Sequence, residues 1–273
     1  MRKTRIFLAL LIACLLLSSQ YAEKVYAISL STKSISWYYK KSTNHKTPVI
    51  SKTTKKLLEK YNAYYVHNTK KKVVYLTFDL GYENGYTSKI LSVLEKHNIN
   101  ATFFVCKAFI TYNPKGLKKM VKDGNLVANH SVNHKNFALL TKSQIKSELG
   151  GVEAAYKKVT GKKMAKFVRP PEGRYSLKSL SITKDLGYTT IFWSITLPND
   201  WDMKNQPSKT DAMDLFKKQY HNGSIILLHA VSPAVANNLD GMLTQLEDKG
   251  YEFHLVTDML EKEYHTLTKL NSQ

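Results

Sequence analysis

Cysteine and arginine are the scarce residues of this chain. Only Cys14 and Cys106 occur in 273 residues. Cys14 falls inside an N-terminal apolar run. If that run is removed, Cys106 is left alone and no intrachain disulfide can form, which excludes a disulfide scaffold. Cys106 itself sits in TFFVC (102–106), a strand-like run. A small apolar residue is the plainer reading there, with a nucleophile as the alternative. Arginine is limited to Arg2, Arg5, Arg169 and Arg174, although the formal net charge is +20. Arginine is the preferred reader of base edges, so its scarcity argues against a nucleic-acid partner. Internal repeats and low-complexity linkers are lacking too, which removes solenoids and arrays.

Residues 1–27 read as an export signal. MRKTR is the basic start, IFLALLIACLLLSS (6–19) the apolar run and VYA (25–27) a small-x-small cleavage site. The run is short for a membrane span; a retained anchor through residues 6–19 is the alternative, and LIAC (11–14) also resembles a lipoprotein box. Without residues 1–27 the chain holds 37 basic against 20 acidic residues. A basic exported protein points to an anionic partner such as cell wall or a membrane surface. A lysine-rich solvated face explains the same charge equally well. Two of the four arginines stay, and both lie in VRPPEGRY (168–175). A chain that takes its charge from lysine elsewhere has a use there for arginine's planar fork.

Residues 28–72 read as an N-terminal arm with a short helix and a hairpin strand, and residues 263–273 as a tail. Between them strands and helices alternate. Strands are expected at 73–78, 101–106, 125–130, 166–169, 189–195, 224–229 and 251–256. Helical spacing falls at 87–97, 114–124, 141–161, 176–187, 210–220 and 233–250. Such alternation predicts a parallel sheet, and runs such as FFV, IFW and IILL suit strands buried on both faces. A closed (β/α)₇ barrel over 73–262 is the expected fold, with an open doubly wound sheet as runner-up.

Polar residues stand at the C-terminal ends of these strands. Asp79 ends the first, His130 the third, Arg169 the fourth and His229 the sixth, with Asp200 a few residues past the fifth. That end of a barrel or open α/β sheet is where sites are built. NHSVNH (129–134) puts His130 and His134 four apart, and one helical turn would place both imidazoles on one face, a pattern that suits zinc or a similar cation. Alone, the pair describes two surface histidines just as well, and His229 alone a satisfied core histidine. Together with Asp79 they form a metal signal.

TFD (77–79), HSVNH (130–134), RPPEG (169–173), DW (200–201) and LLH (227–229) match, in order, the five motifs of the polysaccharide deacetylase family, the NodB-type carbohydrate esterases. The chain resembles that family over residues 73–256. YLTFDLGYENGYT (75–87) and SWYYKKSTNHKTP (36–48) extend the likeness to the subgroup that makes muramic δ-lactam in the spore cortex. The resemblance implies a distorted (β/α)₇ barrel and hydrolysis of a sugar N-acetyl group. It implies Asp79 as general base, His229 as general acid, Arg169 holding Asp79 through a bidentate pair, and Asp200 orienting His229. His130 and His134 would hold a divalent metal, zinc or cobalt.

Two positions depart from the family pattern. A second aspartate, usually a metal ligand, is replaced by Leu80, so weak metal binding is implied. Glu172 stands where the subgroup often has arginine. Its backbone N–H is a candidate oxyanion donor, and Arg174 the candidate for binding a lactyl carboxylate. Trp37, Tyr82, Tyr86, Phe137 and Trp201 are candidates for stacking on sugar, Trp201 foremost. The implied partner is peptidoglycan glycan strands after stem-peptide removal by an amidase, in the wall, the spore cortex or the intermembrane space. N-acetylglucosamine or chitooligosaccharide deacetylation is the alternative activity, and a degenerate wall-binding relative the alternative class.

Overall fold

A computed structural model describes residues 30–260. The expected export signal over 1–27, Cys14 and the expected tail over 263–273 lie outside the described residues. Among the described residues, no helix is long and apolar enough to cross a membrane.

Strands β1 (Ile35–Ser36), β2 (Ala63–Tyr64), β3 (Val73–Leu80), β4 (Thr102–Val105), β5 (Leu126–Asn129), β6 (Phe167–Val168), β7 (Arg174–Tyr175), β8 (Thr189–Ile191), β9 (Ile195–Thr196), β10 (Ser224–His229) and β11 (Glu252–Phe253) follow one another along the chain. Nine of them form one curled sheet in the order β2-β8-β6-β5-β4-β3-β10-β9, with β11 beside the start of β3. Its pairings are parallel. The arm's strand is therefore not the expected hairpin partner of β3: β2 crosses to the far side of the sheet and lies beside β8. Each of the seven strands expected from the sequence is present.

One of them is broken. A single strand is expected over 189–195, but β8 pairs with β6 while β9 pairs with β10 at the far edge. Between them Phe192 N–H donates to Tyr64 O at 2.7 Å and Ser194 N–H to Ile225 O at 3.0 Å. This short stretch crosses from one edge of the sheet to the other and closes the curl. The fold is therefore a distorted barrel, not an open doubly wound sheet.

Side-chain alternation sorts the core into two layers. Val74, Leu76, Phe78 and Leu80 of β3 join Phe103, Val105, Ile226 and Leu228 against the surrounding helices. Tyr75, Phe104, Ala128, Phe167, Ile191 and Ile225 point into the barrel and fill it. Two residues further along β3, β5, β6 and β10 come Thr77, His130, Arg169 and Leu227, and two beyond Thr77 and Leu227 come Asp79 and His229. The same period-two register that packs the lumen thus delivers polar groups to one end of it. Asp79 and His229 are direct partners in the β3–β10 ladder.

Helices over Thr87–Lys96, Pro114–Lys122, Lys142–Thr160, Leu177–Asp185, Lys209–Gln219 and Pro233–Asp248 cover the sheet, and a further helix over Lys107–Tyr112 was not expected. Thr141 caps the third in a reciprocal pair with Gln144. The arm packs on the barrel rim. β1 pairs antiparallel with β7, and Trp37 stacks on Phe192 at 4.5 Å while its Nε1–H donates to Trp193 O at 2.9 Å. At Gly173, with φ +62°, any Cβ would lie 2.7 Å from Trp193 and 2.9 Å from Trp37, so only glycine lets the arm close over this turn.

Candidate active site

The polar strand ends meet at the mouth of the barrel in a cavity of about 1030 Å³. Asp79, His130, His134, Glu172, Trp201 and His229 all line it. Asp200 and Arg169 stand behind that surface, fully buried.

Arg169 carries the densest set of contacts. Its Nη1 donates to Asp79 Oδ1 at 2.7 Å, Nη2 to Thr77 Oγ1 at 2.9 Å and to Phe192 O at 3.3 Å, and Nε to Ile191 O at 3.1 Å. Its guanidinium also sits 4.3 Å from the Phe104 ring centre. The expected bidentate pair with Asp79 is not formed. The fork is divided between β3 and the β8 crossing, so Arg169 is a crossbar inside the barrel as well as a partner of Asp79. Asp79 Oδ2 instead faces His130 Nε2 at 3.5 Å. Burial opposes ionisation of Asp79, but the charges of Arg169, His130 and His229 together outweigh it and hold the carboxyl below its ordinary range.

The two histidines converge without a helix. β5 ends at Asn129, and Ser131 and His134 take left-handed backbone conformations with φ of 75° and 53°. Asn129 Oδ1 accepts from Ser131 N–H at 2.9 Å and Ser131 Oγ from His134 N–H at 2.9 Å. Glu148 accepts both the N–H and the side-chain amide of Asn133, at 2.7 and 2.8 Å. This bracing brings His134 Nε2 to 3.2 Å from His130 Nε2. His130 Nδ1 lies 2.8 Å from Arg169 O, which fixes the hydrogen on Nδ1 and leaves the lone pair on Nε2. Burial pushes the His130 pKa down to about 4, so the ring is neutral near pH 7.

A divalent cation fits this donor pair. Tetrahedral nitrogen ligands at 2.0–2.1 Å lie roughly 3.3 Å apart, close to the spacing seen. The set is thin, however. Among the described residues, no group of three or more His, Cys, Asp or Glu forms a metal-holding cluster. Leu80 is fully buried in the outer apolar layer and offers no donor.

On the other side of the cavity, Asp200 Oδ1 meets His229 Nδ1 at 2.8 Å, and Asp200 Oδ2 accepts the His229 backbone N–H at 2.9 Å. One carboxylate thus fixes both the ring and the peptide of His229. Burial disfavours the imidazolium, yet Asp200, helped by Asp79, outweighs burial and the Arg169 charge, and the His229 pKa is raised.

The aromatic candidates separate clearly. Trp201 is 60% exposed and Tyr82 48%, and both line the cavity. Trp37 and Phe137 are buried in the core, and Tyr86 packs against the outer layer, so these three are anchors. Glu172, with φ 55°, faces the cavity, but Arg174 does not line it. Arg174 Nε is paired with Glu172 Oε2 at 2.7 Å on the exposed rim, so the guanidinium expected to await a ligand already has a carboxylate. Thr77, Asn129, Ser131 and Glu148 were not singled out from sequence; Thr77 alone had a local sign, sharing a strand face with Asp79.

Cys106 lines the cavity floor and its Sγ lies 3.2 Å from His130 O. Burial, then Asp79 and Glu148, push its thiol up to about 12. Iodoacetamide at pH 8 should therefore leave Cys106 unmodified in the folded protein and alkylate it after unfolding, read by mass spectrometry. Ready alkylation of the folded protein would contradict the buried-thiol reading.

The Polysaccharide deacetylase family model matches residues 66–191. Peptidoglycan-N-acetylmuramic acid deacetylase PdaA of Bacillus subtilis is 44% identical over 238 residues, spanning 87% of this chain and 90% of that protein. The solved structure of PdaA, a family 4 carbohydrate esterase, superposes with a TM-score of 0.82 at 42% identity, covering 86% of this chain and all of that one. A family 4 carbohydrate esterase from Bacillus anthracis gives 0.72 at 36% identity over 85% of this chain and 99% of its own. A family 4 pseudoenzyme, also from Bacillus anthracis, gives 0.67 at 28% identity over 72% and 68%. With the identity to PdaA carried across most of both sequences, and the same curled sheet beneath it, this chain belongs to the polysaccharide deacetylase family.

Proposed function

We propose that the protein hydrolyses the N-acetyl group of N-acetylmuramic acid in peptidoglycan, outside the cytoplasm, on glycan strands whose stem peptides an amidase has removed. The observation that carries the chemistry is the pairing across one cavity of an ionised buried carboxylate, Asp79, with an imidazole held by its own carboxylate, His229 on Asp200. The substrate rests on PdaA, whose name states that activity. Export through residues 1–27, with anchoring through 6–19 as its variant, and a place in the spore cortex are parts of the same proposal.

Deacetylases of this family generally depend on a divalent metal. We place it on His130 and His134, with zinc or cobalt the best match to two imidazoles and solvent completing a shell that Leu80 leaves short. Such a cation would supply Lewis-acid polarisation of the acetyl carbonyl. Asp79 takes a proton from the attacking water, and Arg169 keeps it ionised for that task. His229 delivers a proton to the leaving nitrogen, so that acetate and a free amine are the products. Asp200 holds the ring with Nδ1 protonated and Nε2 left for the substrate. The N–H of Glu172, on a turn stiffened by Pro170 and Pro171, is the proposed oxyanion donor. Trp201 and Tyr82 are the proposed stacking walls.

Metal binding should be weak and confined to the histidine pair. Calorimetric titration of zinc or cobalt should give a measurable but readily reversed site, abolished in His130→Ala. Unchanged binding in that variant would remove the pair from the metal site. The pH profile follows from the shifts. The lowered Asp79 pKa keeps the base ionised below the ordinary carboxylate range. The raised His229 pKa keeps the acid protonated above the ordinary imidazole range. Acetate release should therefore show a broad plateau that falls on the alkaline side as His229 loses its proton. In Asp200→Asn that limb should move to lower pH; an unmoved limb would separate Asp200 from His229.

Two observations support other readings. Among the described residues, the Glu172–Arg174 pair leaves no arginine at the rim without a carboxylate, which favours N-acetylglucosamine over the muramic lactyl group. The short ligand set, and the likeness to a pseudoenzyme, favour a wall-binding relative without turnover. Acetate release from glycan strands with added zinc, before and after chelation, tests the enzyme reading. Release that stops on chelation and returns with metal supports it, and strand binding with no release under any condition overturns it.

A further inference from the structure

Loop 197–208 carries both Asp200 and Trp201 but contains neither helix nor strand. A buried carboxylate that must meet an imidazole at 2.8 Å needs its backbone fixed, and this loop has little of its own to fix it. It bonds to itself through Asp202 N–H to Asn199 O and Asn205 N–H to Asp202 O. Two of its side chains hydrogen-bond to the 229–234 segment. One is Asp200. The other is Gln206, a residue that no motif picks out.

The Gln206 amide is used at both ends. Its Nε2 donates to Asp200 O at 2.7 Å and Asp202 O at 3.0 Å, with Asn199 O at 3.5 Å. Its Oε1 accepts from Ser232 Oγ at 2.6 Å and from Ala234 N–H at 3.3 Å. Ser232 is in turn the N-cap of the Pro233–Asp248 helix, and its own N–H donates to His229 O at 3.0 Å. The carbonyls gripped by Gln206 belong to the residues before and after Trp201, so one side chain ties down the chain on both sides of that indole.

We infer that Gln206 is a positioning residue, a clamp that ties the Asp200–Trp201 loop to the His229 segment and thereby fixes both the proton donor and the aromatic wall. The inference rests on the hydrolytic reading given above. An amide is the required chemistry, because one end must donate to carbonyls while the other accepts from a hydroxyl and an N–H. Neither a carboxylate nor a hydrocarbon of the same length can do both.

The test compares wild type, Gln206→Met and Asn205→Ala. Methionine keeps length and neutrality and loses both sets of bonds. Asn205 bonds within the loop, to Asp202 Oδ2, so its loss loosens the loop without cutting the bridge. Gln206→Met should lower kcat for acetate release by about 10–10²-fold, the cost of an ångström-scale misplacement. It should raise KM as Trp201 loosens, and move the alkaline limb of the pH profile to lower pH. Asn205→Ala should stay near wild type.

The charged groups facing His229 are Asp200, Asp79 and Arg169, and Gln206→Met adds no charge to that set. NMR titration of the His229 ring, assigned with His229→Gln, reads the same clamp without turnover. The ring should titrate at lower pH in Gln206→Met than in wild type. Wild-type kinetics together with an unmoved ring titration would overturn the clamp. A wild type that releases no acetate would overturn the hydrolytic reading instead, and the ring titration would still decide the role of Gln206.

Discussion

Asp79→Asn is expected to lower acetate release by about 10²–10⁴-fold, the usual worth of a positioned general base. The substitution keeps the shape and the bond from Arg169 Nη1 but removes the proton-accepting charge. The effect should lie in kcat more than in KM, because the interaction lost is one made as the proton moves. It also leaves the buried Arg169 guanidinium without a counter-ion and should cost stability, although an asparagine oxygen can still accept from Nη1 at the 2.7 Å position now held by Asp79 Oδ1. Turnover is therefore compared on protein whose circular dichroism shows it folded. Wild-type turnover in folded Asp79→Asn would remove this residue from the chemistry, whatever the metal does.

The second large effect falls on stability. Arg169→Met should destabilise the fold by about 3–5 kcal/mol, since it leaves Asp79 as an uncompensated buried charge. It also strips donors from Thr77 Oγ1 and from the carbonyls of Ile191 and Phe192. Those carbonyls belong to the stretch that closes the barrel, so the loss should be felt at the seam between β8 and β9. Arg169→Lys keeps a charge but loses the fork and should recover only part of the stability. Combining Arg169→Met with Asp79→Asn should cost less than the two changes added, because the orphaned charge is gone. Urea unfolding of Arg169→Met, Arg169→Lys, Asp79→Asn and the double variant checks this. Strict additivity, or an Arg169→Met midpoint equal to wild type, would show that the pair is a surface contact in effect, contrary to its burial.

Much of this site was legible because it obeys the sheet's own alternation. Asp79, His130, Arg169 and His229 each sit two or four residues beyond a residue that fills the lumen, so strand boundaries alone brought them to one end. What was illegible depends on contacts between distant segments. The break between Ile191 and Ile195 has no local sign, since IFWSI reads as one apolar run until opposite edges of the sheet claim its halves. A spacing of four between His130 and His134 fits a helical turn or a braced loop equally well. The loop prevails because β5 runs to Asn129 and its amide turns the chain at Ser131. The single-pronged contact of Arg169 follows from Thr77 and two carbonyls competing for the same fork. Arg174 pairs with Glu172 because the turn at Gly173 brings them together, a geometry set by the packing of Trp37 and Trp193 rather than by the RPPEGR string. Gln206 lies outside every motif, and only the folded loop shows what it holds.

In the proposed reaction Asp79 and His229 act together to remove acetyl groups from muramic acid residues. Mass spectrometry of muramidase-free, amidase-treated glycan strands after incubation with wild-type protein and zinc tests it most directly, with fragmentation assigning each lost acetyl group to one sugar. Acetyl should be lost from muramic residues with wild type and about 10²–10⁴-fold more slowly with Asp79→Asn. Loss confined to glucosamine residues, or strands unchanged by wild type, would contradict it.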